Sequence, residues 1–158
     1  MADNYAAKPR QHEKEGVFMN VLVAHDGSPQ ASKALDQGAM IAAKFGGKLD
    51  IVTVVPDLCL SSEELSPEDC SLVANSLAVE ARGQMKKVSE ALAAKGIKAE
   101  IIIKNGRPAD KIVEAARETQ AGLIVVGSVG RHGAAKMFMG SVSSKVAEHA
   151  GVNVLIVK

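Results

Sequence analysis

Three of the four glycines in the stretch GSVGRHGAAKMFMGS, Gly127, Gly130 and Gly140, set its spacing, and Ser141, Val142 and Ser143 follow the last of them. Glycine has no Cβ, so a backbone built from it can turn sharply and approach a ligand closely. Ser141 suits the start of a helix. The first turn of a helix offers unpaired N–H groups and the positive end of a dipole. Such donors favour phosphate. Ser128 lies between the first two glycines, and Arg131 and Lys136 add positive charge free to reach outer phosphates. A loop of about 13 residues without structure of its own is uncommon in a compact domain and is usually functional or disordered. A second group, Asp26, carries the wrong charge for phosphate. It can accept hydrogen bonds from ribose hydroxyls.

These groups need elements to hold them. Residues 18–27, FMNVLVAHDG, are an apolar run with a polar end, the mark of a strand that stops near Asp26. Ser28 then caps a helix with Pro29 at its first position. Ala31, Ala34, Leu35, Gly38, Ile41, Ala42 and Phe45 recur at helical spacing, and Gly46–Gly47 stops the run. KLDIVTVVPD is a β-branched strand closed by Pro56, and 58–67 reads as a loop. A second helix spans about 68–95, with a stripe of Leu72, Leu77, Ala81, Met85, Val88 and Leu92. KAEIIIKNG, GLIVVG and VNVLIVK are three more strands. Helices at 107–120, opened by Pro108, and at 141–149, capped by Ser141, separate them.

Strict βα alternation with continuous apolar strands implies a parallel sheet covered on both faces. Right-handed crossovers make it doubly wound, with an expected strand order of 3-2-1-4-5. Ligands bind such sheets at the carboxyl ends of the strands, where the winding reverses. That point lies between strands one and four, so Asp26 should face the Gly127 loop.

The chain has 158 residues, enough for one self-supporting domain. Residues 1–16 are polar and mixed in charge, and read as a disordered tail ahead of a domain at 17–158. A net charge of +1 gives no electrostatic case for nucleic acid or an anionic membrane. Four aromatics and no tryptophan leave no stacking platform for single strands. No apolar signal or membrane span is visible, so the expected compartment is the cytoplasm. Cys59 and Cys70 form no Cys-x-x-Cys pair and are expected as free thiols, with a redox switch as the alternative. His12 sits in the tail, His25 precedes Asp26 with an expected structural role, and His132 and His149 stand apart. No catalytic triad or metal-ligand set emerges. No lysine follows the glycine before Ser141, so a P-loop is excluded. The first strand lacks a dinucleotide fingerprint, and Lys104–Asn105 ends strand three where a receiver domain needs its aspartate.

Gly127-Ser128-Val129-Gly130, nine residues, then Gly140-Ser141 resembles the Gly-x2-Gly-x9-Gly-Ser/Thr motif of the universal stress protein family, in its ATP-binding branch. The resemblance covers 17–158. It implies a homodimer through the final strand, whose apolar edge is also a template for pairing. It further implies that Asp26 serves the ribose and adenine side and that Val55 reads adenine through its backbone. Gly127, Gly130, Gly140, Ser141 and Val142 would then contact ribose and phosphates, with Ser128, Arg131 and Ser143 beside them. Ala24, also on the adenine side, stands where a proline is common, Val54 where a histidine is common, and Asn153 replaces a usual proline. ATP is the implied ligand, with AMP or cyclic AMP and a role for Mg²⁺ left open. The expected function is a nucleotide-dependent stress-response regulator with slow hydrolysis if any; the alternative is an Mg-dependent ATPase or another nucleotide-handling enzyme.

Overall fold

The computed structural model describes residues 16–61, 66–131 and 139–158. Nine elements follow the expected alternation. They are β1 (Asn20–Ala24), α1 (Pro29–Phe45), β2 (Lys48–Pro56), α2 (Pro67–Ala94), β3 (Glu100–Gly106), α3 (Pro108–Glu118), β4 (Leu123–Gly127), α4 (Ser141–His149) and β5 (Asn153–Val157). The strands form one parallel sheet in the order β3-β2-β1-β4-β5. Val23 lies between Ile51 and Val125 at its centre. The tail at 1–15, with His12, and the loop residues His132 and Lys136 lie outside the described residues.

The period-two rule of strands sends alternate side chains to opposite faces. Val21, Val23, Ile51, Leu123 and Val125 pack with Ala34, Leu35 and Ala39 of α1 and Met85 and Leu92 of α2. Leu22, Val52, Ile124 and Val126 pack on the other face with Ile112 and Ala116 of α3 and Val146 of α4. The central strands β1, β2 and β4 are covered on both faces, whereas β3 and β5 at the edges of the sheet stay partly exposed. No described helix is long and apolar enough to cross a membrane.

Helix α2 departs from its expected stripe. Only Ala81, Met85 and Leu92 are buried, while Leu72 is 66% exposed. Length is the cause. Twenty-eight residues span about 42 Å, whereas the seven of β3 span about 23 Å. The helix starts at the carboxyl end of the sheet, so its first half projects past the strands and finds no core to face.

The two cysteines, expected as free thiols, form a disulfide, with Cα atoms 5.8 Å apart. A 3-10 turn at Leu58–Ser61 carries Cys59 back against Cys70 in the first turn of α2. The bond ties the overhanging helix start to the end of β2. In the chain-entropy account, closing a loop of this length stabilises the fold by up to about 3 kcal/mol. Reduction should therefore lower the melting midpoint by several degrees. Cys59→Ser should melt at the reduced value and no longer respond to dithiothreitol in calorimetry.

Candidate functional site

The strand order puts the winding reversal between β1 and β4, and topology places the crevice of such a sheet at their carboxyl ends. Asp26 lies two residues past β1. Its Oδ1 accepts the Ser28 N–H at 2.9 Å and its Oδ2 accepts the Arg131 N–H at 3.0 Å. Ser28 caps α1, its Oγ accepting the Ala31 N–H at 3.1 Å. Asp26 and the β4 loop therefore meet as the topology required. A carboxylate has about four acceptor positions, so each Asp26 oxygen keeps capacity for a further donor.

The glycines act through closeness rather than turning. None of Gly127, Gly130 and Gly140 has a positive φ, so the sharp-turn role expected of them is not used. A Cβ on Gly130 would stand 2.6 Å from Asp26 Oδ2, and one on Gly127 would stand 2.9 Å from the Gln30 carbonyl carbon in the first turn of α1. The chain itself claims both spaces.

Gly140, not Ser141, is the N-cap of α4. Its N–H donates to the Ser128 carbonyl at 2.7 Å, and the Ser128 N–H donates to the Val157 carbonyl at 2.7 Å. These bonds leave no cap role for Ser141, which becomes the first helical residue. They also tie the Ser128 end of the segment to the start of α4. The first bond into the helix is Ser144 N–H to the Gly140 carbonyl. The N–H groups of Ser141, Val142 and Ser143 precede it and have no partner among the described residues. They are the donor set expected of this helix end. The Ser143 hydroxyl is committed elsewhere, donating to the Gly127 carbonyl at 2.6 Å. Ser143 thus pins α4 to the end of β4 and has only its backbone to offer.

Ala24 and Val55 stand at the ends of β1 and β2 on the same sheet edge, half-buried and buried. Arg131 is not free, as the sequence suggested: its guanidinium Nη2 donates to Glu80 Oε1 at 2.8 Å. Glu80 holds the Arg131 pKa above its ordinary value, and Asp26 adds to the effect. Pattern reading missed Glu80 and its neighbour Gln84. Both flank the apolar residues of α2, and periodicity alone assigns such positions to solvent.

His25 is buried, and its Nδ1 accepts the Gly27 N–H at 3.2 Å. Burial lowers its pKa below the usual 6.5, only partly opposed by the Asp26 charge. The neutral ring therefore braces the Asp26–Gly27 turn, the structural role expected of it.

The architecture is thus a doubly wound α/β domain whose cleft sits at the winding reversal, with a carboxylate on one wall and a helix N-terminus on the other. The chain belongs to the universal stress protein family, whose sequence model matches residues 18–158. It is 36% identical over 148 residues to universal stress protein YxiE of Bacillus subtilis, covering 90% of this chain and all of that one. It also resembles a solved universal stress protein in complex with cAMP, at 31% identity and TM-score 0.57, covering 89% and 96% of the two chains. A third likeness is the Archaeoglobus fulgidus universal stress protein in complex with dAMP, at 25% identity and TM-score 0.64, covering 90% and 100%.

Protonating His25 removes the acceptor of the Gly27 N–H. Its folded pKa lies below the unfolded value, so the unfolded chain binds more protons in the interval just under pH 6.5. Stability contributed by neutral His25 should be present above that interval and be lost as pH falls through it. An NMR titration should place the His25 midpoint below 6.5, and a midpoint at or above 6.5 would contradict the burial argument.

Proposed function

We propose that the protein binds an adenine nucleotide, ATP in the first instance, in the cleft between Asp26 and α4. The observation that carries this reading is the pairing of an anchored acceptor with unpaired donors. Asp26 has open acceptor positions suited to ribose hydroxyls, and the N–H groups of Ser141, Val142 and Ser143 suit phosphates. The Arg131 N–H bonds Asp26 and the Gly140 N–H bonds the Ser128 carbonyl, so the two walls are contiguous. Ala24 and Val55 take the adenine side in this reading. Gly127, Ser128, Gly130, Arg131 and Gly140 take the ribose and phosphate side. The cAMP and dAMP complexes of its relatives support an adenine nucleotide as the ligand class. The function is regulatory, with nucleotide occupancy rather than rapid turnover as the signal in a cytoplasmic stress response. Denaturing the purified protein and identifying the released nucleotide tests the ligand directly.

Asp26→Ala should weaken ATP binding about ten- to a hundredfold, the equivalent of losing a hydrogen bond to a charged group. The ligand-free protein should also lose stability on the order of 1 kcal/mol, because the Ser28 and Arg131 N–H groups lose their acceptor. Unchanged affinity in titration calorimetry would remove Asp26 from the site.

We further propose a homodimer through β5. This strand is an edge of the sheet, and Val154 to Val157 remain only half-buried. Its unpaired backbone groups are a template for a second copy about a two-fold axis. Leu155→Lys should give a monomer in light scattering while the circular dichroism melt stays cooperative. A dimer that survives the substitution would place the contact elsewhere.

A further inference from the structure

Arg131 bonds in two directions. Its backbone N–H holds Asp26, and its guanidinium reaches across the cleft mouth to Glu80 on α2. Glu80 lies one helical turn before Gln84, and the Gln84 amide fills the space where a side chain on Gly27 would stand. Residues 80–84 of α2 thus form a wall against the Asp26–Gly27 turn, just where the helix passes the end of the sheet. Two independent contacts, one to the β4 loop and one to the β1 turn, fix that wall.

The ion pair is built to exchange. Arg131 and Glu80 have side chains 47% and 52% exposed, and pairs this wet contribute little to stability. Arginine presents donors in a planar fork that carboxylate and phosphate both match. The Nη2 donor engaged by Glu80 is withheld from a phosphate. Arg131 is also the only described cation in the segment from Gly127 to Gly140.

We propose that Glu80 is a specificity-determining residue of the cleft: its carboxylate occupies Arg131 in the ligand-free protein, and the outer phosphates of a bound nucleotide displace it. This rests on the nucleotide-binding reading above. A nucleoside has no phosphate to offer and leaves the pair intact. A triphosphate must break it, so Glu80 sets how strongly the site prefers the phosphorylated ligand. Glu80 acts through Arg131, which makes the effect a property of the pair.

The test is calorimetric titration of ATP and adenosine into the full-length protein, Glu80→Gln, Arg131→Gln and the double variant. Glutamine keeps the length of Glu80 and removes its charge. The ratio of ATP to adenosine affinity should rise about two- to fivefold in Glu80→Gln, the equivalent of an exposed ion pair. It should fall in Arg131→Gln, and adding Glu80→Gln there should not restore it. A ratio unmoved or lowered by Glu80→Gln overturns the proposal and leaves the nucleotide reading standing. An equal rise in both backgrounds also overturns it, because Glu80 would then act by repulsion alone. If the starting protein binds neither ligand, the nucleotide reading falls and takes the proposal with it.

Discussion

Asp26 accepts one hydrogen bond from each side of the cleft, and the rest of the site is arranged around that double commitment. The Ser28 N–H belongs to the start of α1, and the Arg131 N–H belongs to the loop after β4. Asp26 and Arg131 are 105 positions apart in the chain. They converge because β1 and β4 are neighbours at the one place where a doubly wound sheet reverses. A single carboxylate therefore sets the distance between two walls that the fold merely brings near. The Ser128–Gly140 and Ser143–Gly127 bonds then fix α4 to the same frame. Its donors are aimed before any ligand arrives, and preorganisation of this kind reduces the ordering cost of binding.

The glycines show how closely such a site is tied to folding. Gly127 gives way to the first turn of α1, and Gly130 gives way to the Asp26 carboxylate. A side chain at either position would push apart parts of the protein before it met a ligand. The motif spacing thus carries two requirements at once, close packing at the strand end and an open helix terminus. That double demand explains why three glycines and a hydroxyl at fixed intervals are more informative than a glycine-rich loop alone.

The fold was legible because its cues are local. Ser28 with Pro29, the β-branched run at 48–56 and the apolar runs at 123–127 and 153–157 each announce their own element. Alternation and handedness then leave few topologies. What could not be read depends on distance in space. Leu72 fits the helical period of α2, and only the length of the sheet shows that nothing lies beneath it. Cys59 and Cys70 pair because a 3-10 turn returns the chain, and no spacing rule encodes that turn. The Arg131–Glu80 bond joins residues 51 apart on a loop and a helix whose sequences look solvent-facing. Asp26 and the glycine stretch stood out by type and spacing, yet their protein partners did not.

The overhang of α2 links these unread features. A helix longer than the sheet leaves its first half without a core, so hydrophobic burial cannot hold that half in place. The Cys59–Cys70 bond ties it near its start, and the exposed Glu80–Arg131 pair meets it where it crosses the cleft without adding much stability. One is covalent and depends on redox conditions, and the other is ionic and depends on what else Arg131 can bind. Disulfides are rare in reducing compartments, and there the covalent tie is absent. The position of the α2 wall over the cleft then rests on Glu80, Gln84 and the buried contacts that begin at Ala81. In the proposed displacement, the Arg131 guanidinium is the group shared by the phosphate side of the cleft and that wall.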